Sequence, residues 1–186
     1  MRRIPFTEPM TKLPILESYW VEEGRFLAGE YPGGYDLEST RRRMDRFLEA
    51  GINTFIDLTQ SDELAAYDSV LNERTRIYDI PTAYHRFAIR DQSIPSRETM
   101  ITILNTIDEA IRNDKCVYVH CWGGVGRTGT TVGCYLIRHG LTPQQALIRV
   151  DSLFKTRPPS YHSTSPETIE QFEFVRGWRE IPPLHD

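Results

Sequence analysis

From position 119 to 129 the chain reads Val-His-Cys-Trp-Gly-Gly-Val-Gly-Arg-Thr-Gly, and several of these side chains can do chemistry together. Cys121 is a nucleophile once its thiol is ionised. Arg127 is a permanent cation whose planar fork matches two oxygens of a phosphate. Between them, Gly123, Gly124 and Gly126 free the backbone to turn several N–H groups inward. Such a nest, continued by a helix N-terminus, binds an anion. The same positive field is expected to lower the Cys121 thiol pKa and favour the thiolate. A thiolate and a phosphate grip in one loop suit phosphoryl transfer through a cysteinyl-phosphate, without a cofactor. Trp122 and Val125 complete the loop that would line the bound substrate. His120 is expected to brace the loop by a hydrogen bond, which would also favour the thiolate.

These residues need a scaffold that delivers them to one place. Residues 116–120 form a short β-branched and aromatic run, read as a strand, and 121–126 as the loop that follows it. A helix is predicted from about 127 to 139, ended by Gly140. Upstream, residues 24–29 read as a short strand and 31–34 as a turn. Leu37, Met44, Phe47 and Leu48 share one face of a helix over 36–50, stopped by Gly51. Residues 52–58 read as a strand buried on both faces. The polar segment 62–72 has some helical character, and 76–80 and 84–89 are read as strands. Ser96 suits the N-cap of a long helix to Asn113. Pro143 suits the first turn of a helix reaching Phe154, and a last helix is predicted over 166–178. Alternating strands and helices predict an α/β domain, with a mainly parallel central sheet flanked by helices. Ligands of such sheets sit beyond the carboxyl ends of the strands, where the Cys121 loop falls.

The string His120-Cys121-Trp122-Gly123-Gly124-Val125-Gly126-Arg127-Thr128 resembles the signature of the protein tyrosine and dual-specificity phosphatase superfamily. It is most similar to the compact kinase-associated and Cdc14-like branch, and the order of elements extends the likeness over roughly residues 20–178. The resemblance implies a general acid about thirty positions ahead of the cysteine, on a loop after a strand. Asp91 stands there. In the implied double displacement, Cys121 attacks phosphorus, Asp91 protonates the leaving oxygen, and Asp91 then activates water. Thr128 is implied to assist departure of the cysteine sulfur, with capping of the helix's first turn as its other role. Some branches use a late glutamine to orient the hydrolytic water, a position that Gln171 fits as well as it fits a solvated helix face. A compact scaffold implies a shallow cleft that takes phosphotyrosine and also phosphoserine or phosphothreonine. The loop carries no added lysine, which weighs against phosphoinositides. A phosphate-binding module without catalysis and a rhodanese-like sulfurtransferase stay open as alternatives.

The 186 residues suit one domain, with an irregular segment at 1–19 and a tail at 179–186. A net charge of −4 is ill suited to nucleic acid, and the basic run Arg41–Arg43 reads as a solvated helix face. The expected partner is a phosphorylated protein or peptide, bound by a monomer. Three cysteines are too few for a disulfide framework, and Cys116 and Cys121 would lie roughly 16 Å apart on an extended strand. A reducing, cytoplasmic setting and no membrane association are expected. The five histidines are scattered, so no metal site is expected. Trp20 and Phe26 are read as core anchors.

Overall fold

The structure is a computed structural model that describes residues 12–159 and 164–180. Its elements are β1 (Ser18–Glu22), β2 (Phe26–Gly29), α1 (Leu37–Glu49), β3 (Ile52–Asp57), α2 (Asp68–Tyr78), β4 (Ala83–Arg86), α3 (Arg97–Arg112), β5 (Cys116–His120), α4 (Gly126–Arg138), α5 (Pro143–Phe154) and α6 (Ile169–Arg176). The strands form one sheet in the order β1-β2-β5-β3-β4. Only β1 runs antiparallel to its neighbour. The expected α/β architecture, with a mainly parallel sheet, is therefore the observed one.

The alternation of side chains along β3 and β5 divides the core in two. Ile56, Val117 and Val119 face the layer that contains Met100, Leu104, Val132 and Val150. Phe55 and Tyr118 face the opposite layer with Met44, Phe47 and Leu71. Strands covered on both faces are largely apolar, and the apolar residues of 52–58 and 116–120 made both legible as strands. The helices start where polar side chains satisfy their orphan N–H groups. Asp36 and Ser39 cap each other at α1, Ser96 caps α3, and Thr142 with Gln145 closes a reciprocal box at α5, whose first residue is Pro143.

Three expectations need correction. Residues 76–80, read as a strand, lie largely in α2, which Asp79 ends in the left-handed conformation (φ 54°). The helix forms because Tyr67, Val70 and Leu71 bury at its start, while Arg74 and Glu73 pair with Asp45 and Arg41 of α1. Local β-propensity in Arg76–Ile80 is overridden by that packing. The segment expected to be irregular over 1–19 ends inside β1, because Tyr19 and Val21 alternate into the core. Its first eleven residues lie outside the described ones, as do positions 181–186 of the expected tail. Glu180 of that tail is held by Arg138 at 2.6 and 2.8 Å. Finally, Arg43 is not simply solvated, since it donates to the Gly33 carbonyl at 2.7 Å and pairs with Glu30 at 2.9 Å. Phe26 is fully buried as expected, and Trp20 is half-buried.

Candidate active site

Three strands bring their carboxyl ends together, with Asp57 of β3 in register with Arg86 of β4 and with His120 of β5. The loop after His120 is held by its carbonyls. The Cys121 oxygen accepts from His120 Nδ1 at 3.0 Å, and the Trp122 oxygen from the Tyr31 N–H at 2.8 Å. The Gly123 and Gly124 oxygens share Arg157 Nη1 at 3.1 and 3.2 Å, and the Val125 oxygen takes the Ser165 hydroxyl at 2.7 Å. Because a trans peptide sets its N–H opposite its C=O, five outward carbonyls turn the intervening N–H groups toward the loop's centre. The result is an anion nest continued by the N-terminus of α4.

Cys121 and Arg127 line one cavity of about 250 Å³ beside this nest. Asp91, Trp122, Gly123, Val125 and Gly126 line it too, as does Glu167. Arg127 is buried, and its charge is met by Glu63, whose two oxygens lie 2.7 Å from Nη1 and 2.5 Å from Nη2. Nη1 also donates to the Ile89 carbonyl at 3.0 Å, and Nη2 to Asp91 Oδ1 at 2.8 Å. Burial works against the Arg127 charge, but the Glu63 bonds and the negative charges around the guanidinium together outweigh it and keep its pKa above the ordinary value. Burial likewise opposes ionisation of Glu63, and Arg127 reverses that, so the carboxyl sits below its usual range. Asp91 stays 53% exposed at the cavity mouth, free to exchange partners.

His120 is fully buried, and burial pushes its pKa down despite the neighbouring Asp57 carboxylate. In the neutral ring Nδ1 must carry the proton, because the Cys121 carbonyl can only accept. Nε2 then accepts the Tyr67 hydroxyl at 2.7 Å. His120 thus ties the end of β5 to the first carbonyl of the loop. Asp57, at 1% exposure, accepts from Thr59 N and Oγ1 at 2.8 and 2.6 Å, from Tyr84 Oη at 2.7 Å and from Arg86 at 3.0 Å. Burial alone would raise its pKa, but His120 and these hydrogen bonds outweigh it and hold the carboxyl low.

The loop glycines divide the work differently from the sequence expectation. Only Gly124 of the three has positive φ (66°), and a Cβ there would lie 2.3 Å from the Gly29 carbonyl carbon. Gly124 does not line the cavity; it seats the loop on β2. Gly126 is needed for close approach, since a Cβ would meet the Gln171 amide at 2.7 Å and a Glu167 oxygen at 3.0 Å. Gly129 and Gly133 continue this bare face of α4, against Ser165 and Val175. Gln171 is accordingly buried, which corrects the solvated-face alternative. Its Oε1 accepts from the Glu167 and Thr168 N–H groups at 3.2 and 3.1 Å, and its Nε2 donates to the Ser93 carbonyl at 3.1 Å. Thr128 is buried, its hydroxyl 3.5 Å from the Gly29 carbonyl. Trp122 stands 55% exposed on the rim.

Sequence reasoning did not single out Glu63, Asp57, Arg157, Ser165 or Glu167. Their separations from the loop range from 33 positions, for Arg157 to Gly124, to 64, for Glu63 to Arg127, and no local pattern marks them. A polar residue closing an apolar strand, as Asp57 does, was the one available signal. Cys116 and Cys134 are buried free thiols, and burial pushes Cys116 up to about 12 and Cys134 well above its usual value. Among the described residues, no group of three His, Cys, Asp or Glu side chains converges as a metal site, and no helix is long and apolar enough to cross a membrane.

Residues 34–141 match the family described as "Polymorphic toxin system, DSP-PTPase phosphatase". Protein tyrosine phosphatase domain-containing protein 1 of Mus musculus is 31% identical over 72% of this chain and 18% of its own length. Dual specificity protein phosphatase CDC14A of Mus musculus is 27% identical over 64% of this chain and 19% of its own. The chain thus spans less than a fifth of these relatives. Cyclin-dependent kinase inhibitor 3 of Rattus norvegicus is 25% identical over 87% of this chain and 77% of its own. Among solved structures, Tk-PTP in its active form superimposes with a TM-score of 0.68 at 26% identity, covering 86% of this chain and 93% of that one.

Proposed function

The chain belongs to the DSP-PTPase phosphatases, and from that premise we propose that it hydrolyses phosphate monoesters of proteins with Cys121 as nucleophile. The observation that carries this reading is one cavity lined by a thiol, a buried guanidinium and a loop whose carbonyls are all tied outward. The inward N–H groups and Arg127 hold the three peripheral phosphate oxygens and stabilise their charge as phosphorus is transferred. The thiolate attacks phosphorus, the P–O bond to the leaving group breaks, and Asp91 gives its proton to the departing oxygen. Water then cleaves the S–P bond and restores the thiolate, whose departure the Thr128 hydroxyl assists.

Binding and acid catalysis are coupled through Arg127. A guanidinium has five N–H donors, and four of those of Arg127 already meet Glu63, Ile89 and Asp91. A phosphate gripped by two donors must therefore displace a partner. Glu63 holds on with two bonds in a buried setting, whereas Asp91 holds with one and is half-exposed, so Asp91 is the partner released. Released, its carboxyl is at the cavity mouth, where the leaving oxygen lies.

Phosphotyrosine fits the exposed Trp122 rim, and the shallow mouth also admits phosphoserine and phosphothreonine. Carboxylates at the mouth, Asp91 and Glu167, add to the argument against polyphosphorylated inositides. The test is steady-state hydrolysis of para-nitrophenyl phosphate with EDTA present. Wild-type turnover that Cys121→Ser abolishes is the expected result. Equal turnover by the variant, or efficient sulfur transfer from thiosulfate to cyanide by wild type, would remove this reading. A phosphopeptide panel then sets the order of residue preference.

A further inference from the structure

Helix α6 inverts the usual amphipathic order. Its buried positions hold Gln171 and Val175, while Ile169 and Phe172, three positions apart and so on one face, are exposed. On α5, Ile148 is 59% exposed beside the buried Leu147. Apolar side chains scattered singly over a surface need no account, but a gathered set does. Ile148 and Phe172 are gathered, for they line one cavity of about 400 Å³ together with Leu147 and Pro166. It is bounded by α5, α6 and the turn before α6. Asp151, on its wall, is already engaged, accepting from Lys155 Nζ at 2.6 Å and from the Ser165 N–H at 3.3 Å. The cavity is therefore suited to an apolar occupant rather than a cationic one.

One turn separates this cavity from that of Cys121. Ser165 and Pro166 line the first, and Glu167 lines the second. The turn is fixed to the Cys121–Gly126 loop, since the Ser165 hydroxyl donates to the Val125 carbonyl at 2.7 Å. A wall of this length is at most roughly 10 Å across, which an extended peptide spans in about three residues. We propose that the α5–α6 cavity is a specificity subsite, taking an apolar side chain about three positions from the phosphoresidue of a protein substrate. The inference rests on the cysteine-phosphatase reading above and deepens it by naming a feature of the substrate. The occupant is a residue of the substrate itself because the two cavities share a wall. A peptide already anchored by its phosphate loses little further freedom in filling the second cavity. Leu147, Ile148, Pro166 and Phe172 thus select the substrate without touching the reacting atoms.

The probe is a set of phosphotyrosine peptides with alanine flanks, each carrying one leucine within about four positions of the phosphotyrosine. With wild type, leucine about three positions away should raise kcat/KM roughly tenfold over the all-alanine peptide, the effect of burying one such side chain. Ile148→Ser and Phe172→Ser should each remove most of that preference, and Ile148→Leu should keep it. Para-nitrophenyl phosphate is too small to reach past the turn, so its kcat/KM should stay near wild type in all three variants. A leucine preference that survives in both serine variants, or none at any position, would overturn the subsite while leaving Cys121 chemistry intact. Parallel losses with para-nitrophenyl phosphate would assign the two side chains to the fold and overturn it as well. So would a dimer in sedimentation velocity that Ile148→Ser dissolves, which would give this face to a second copy of the chain. Failure of wild type to turn over para-nitrophenyl phosphate and every peptide would instead remove the phosphatase reading and this one with it.

Discussion

Arg127 shows how much one side chain's role depends on its counter-charge. A buried guanidinium is tolerated only because Glu63 meets it with both oxygens and the Ile89 carbonyl fills a further donor. Lysine keeps the charge but presents no fork, so Arg127→Lys should lower kcat/KM about 10²-fold or more. Glu63→Gln leaves the guanidinium charge poorly compensated and should cost roughly 2–4 kcal/mol of stability. It should also loosen the orientation of Arg127 and raise KM for phosphate esters. Urea titration and steady-state kinetics read the two effects separately, and a variant as stable as wild type would contradict the structural role given to Glu63. Asp91, bonded once and half-exposed, should contribute far less to stability than to rate.

At the scale of elements, α4 serves two purposes. Its N-terminus faces the nest, and its glycine face admits α6 and the turn before it. Gln171 of α6 then links that turn to the Ser93 carbonyl beyond Asp91, so the Cys121–Gly126 loop, the Asp91 loop and α6 form one contact system. Gly126→Ala inserts a Cβ at 2.7 Å from the Gln171 amide, which must shift and give up hydrogen bonds to the turn and to Ser93. Overpacking of this kind costs about 1–3 kcal/mol, and disturbance of the cavity wall at Gly126 should cut kcat/KM at least about tenfold. A crystal structure or thermal melt of the variant checks the shift directly; unchanged activity with an unchanged melting temperature would refute the contact system. Gly123→Ala is the control, since a Cβ there meets only the Val125 side chain at 3.5 Å.

For the molecule as a whole, the sheet's carboxyl edge stores charges whose titration links stability to pH. His120 has a lowered pKa in the folded state, through burial, so the unfolded chain binds its proton first as pH falls. The unfolded state then holds more protons, and folding stability is lost with acidification from about pH 6.5 downward, at most about 1.4 kcal/mol per pH unit for this group. Asp57 and Glu63, also lowered, add losses in the same direction at lower pH, below the ordinary carboxylate range. Urea unfolding of wild type should therefore give falling stability between about pH 6.5 and 5, and His120→Gln should flatten that part of the curve. A wild-type profile that is flat or rises on acidification there would mean that His120 is not held neutral.

The local chemistry of this protein was legible in the sequence because it is written locally. A β-branched run, Cys121, three glycines and Arg127 lie within a dozen positions, and strand, nest and helix follow from short-range sterics and capping. The sheet's class followed as well, since strands covered on both faces are largely apolar on both. Residues 76–80 were not legible, because their helical state depends on ion pairs and burial against α1, 29 positions away for Arg74 and Asp45. Nor were the partners of the loop. Glu63, Arg157, Ser165 and Glu167 reach it through the packing of separate elements, and a carboxylate or guanidinium carries no mark in the chain of which charge it will meet. The sequence therefore determined the proposed nucleophile and anion grip, while tertiary structure decided what neutralises Arg127, what ties the loop carbonyls and which carboxylates line the cavity. Short-range geometry is encoded in neighbouring residues; compensation of buried charge is a property of space.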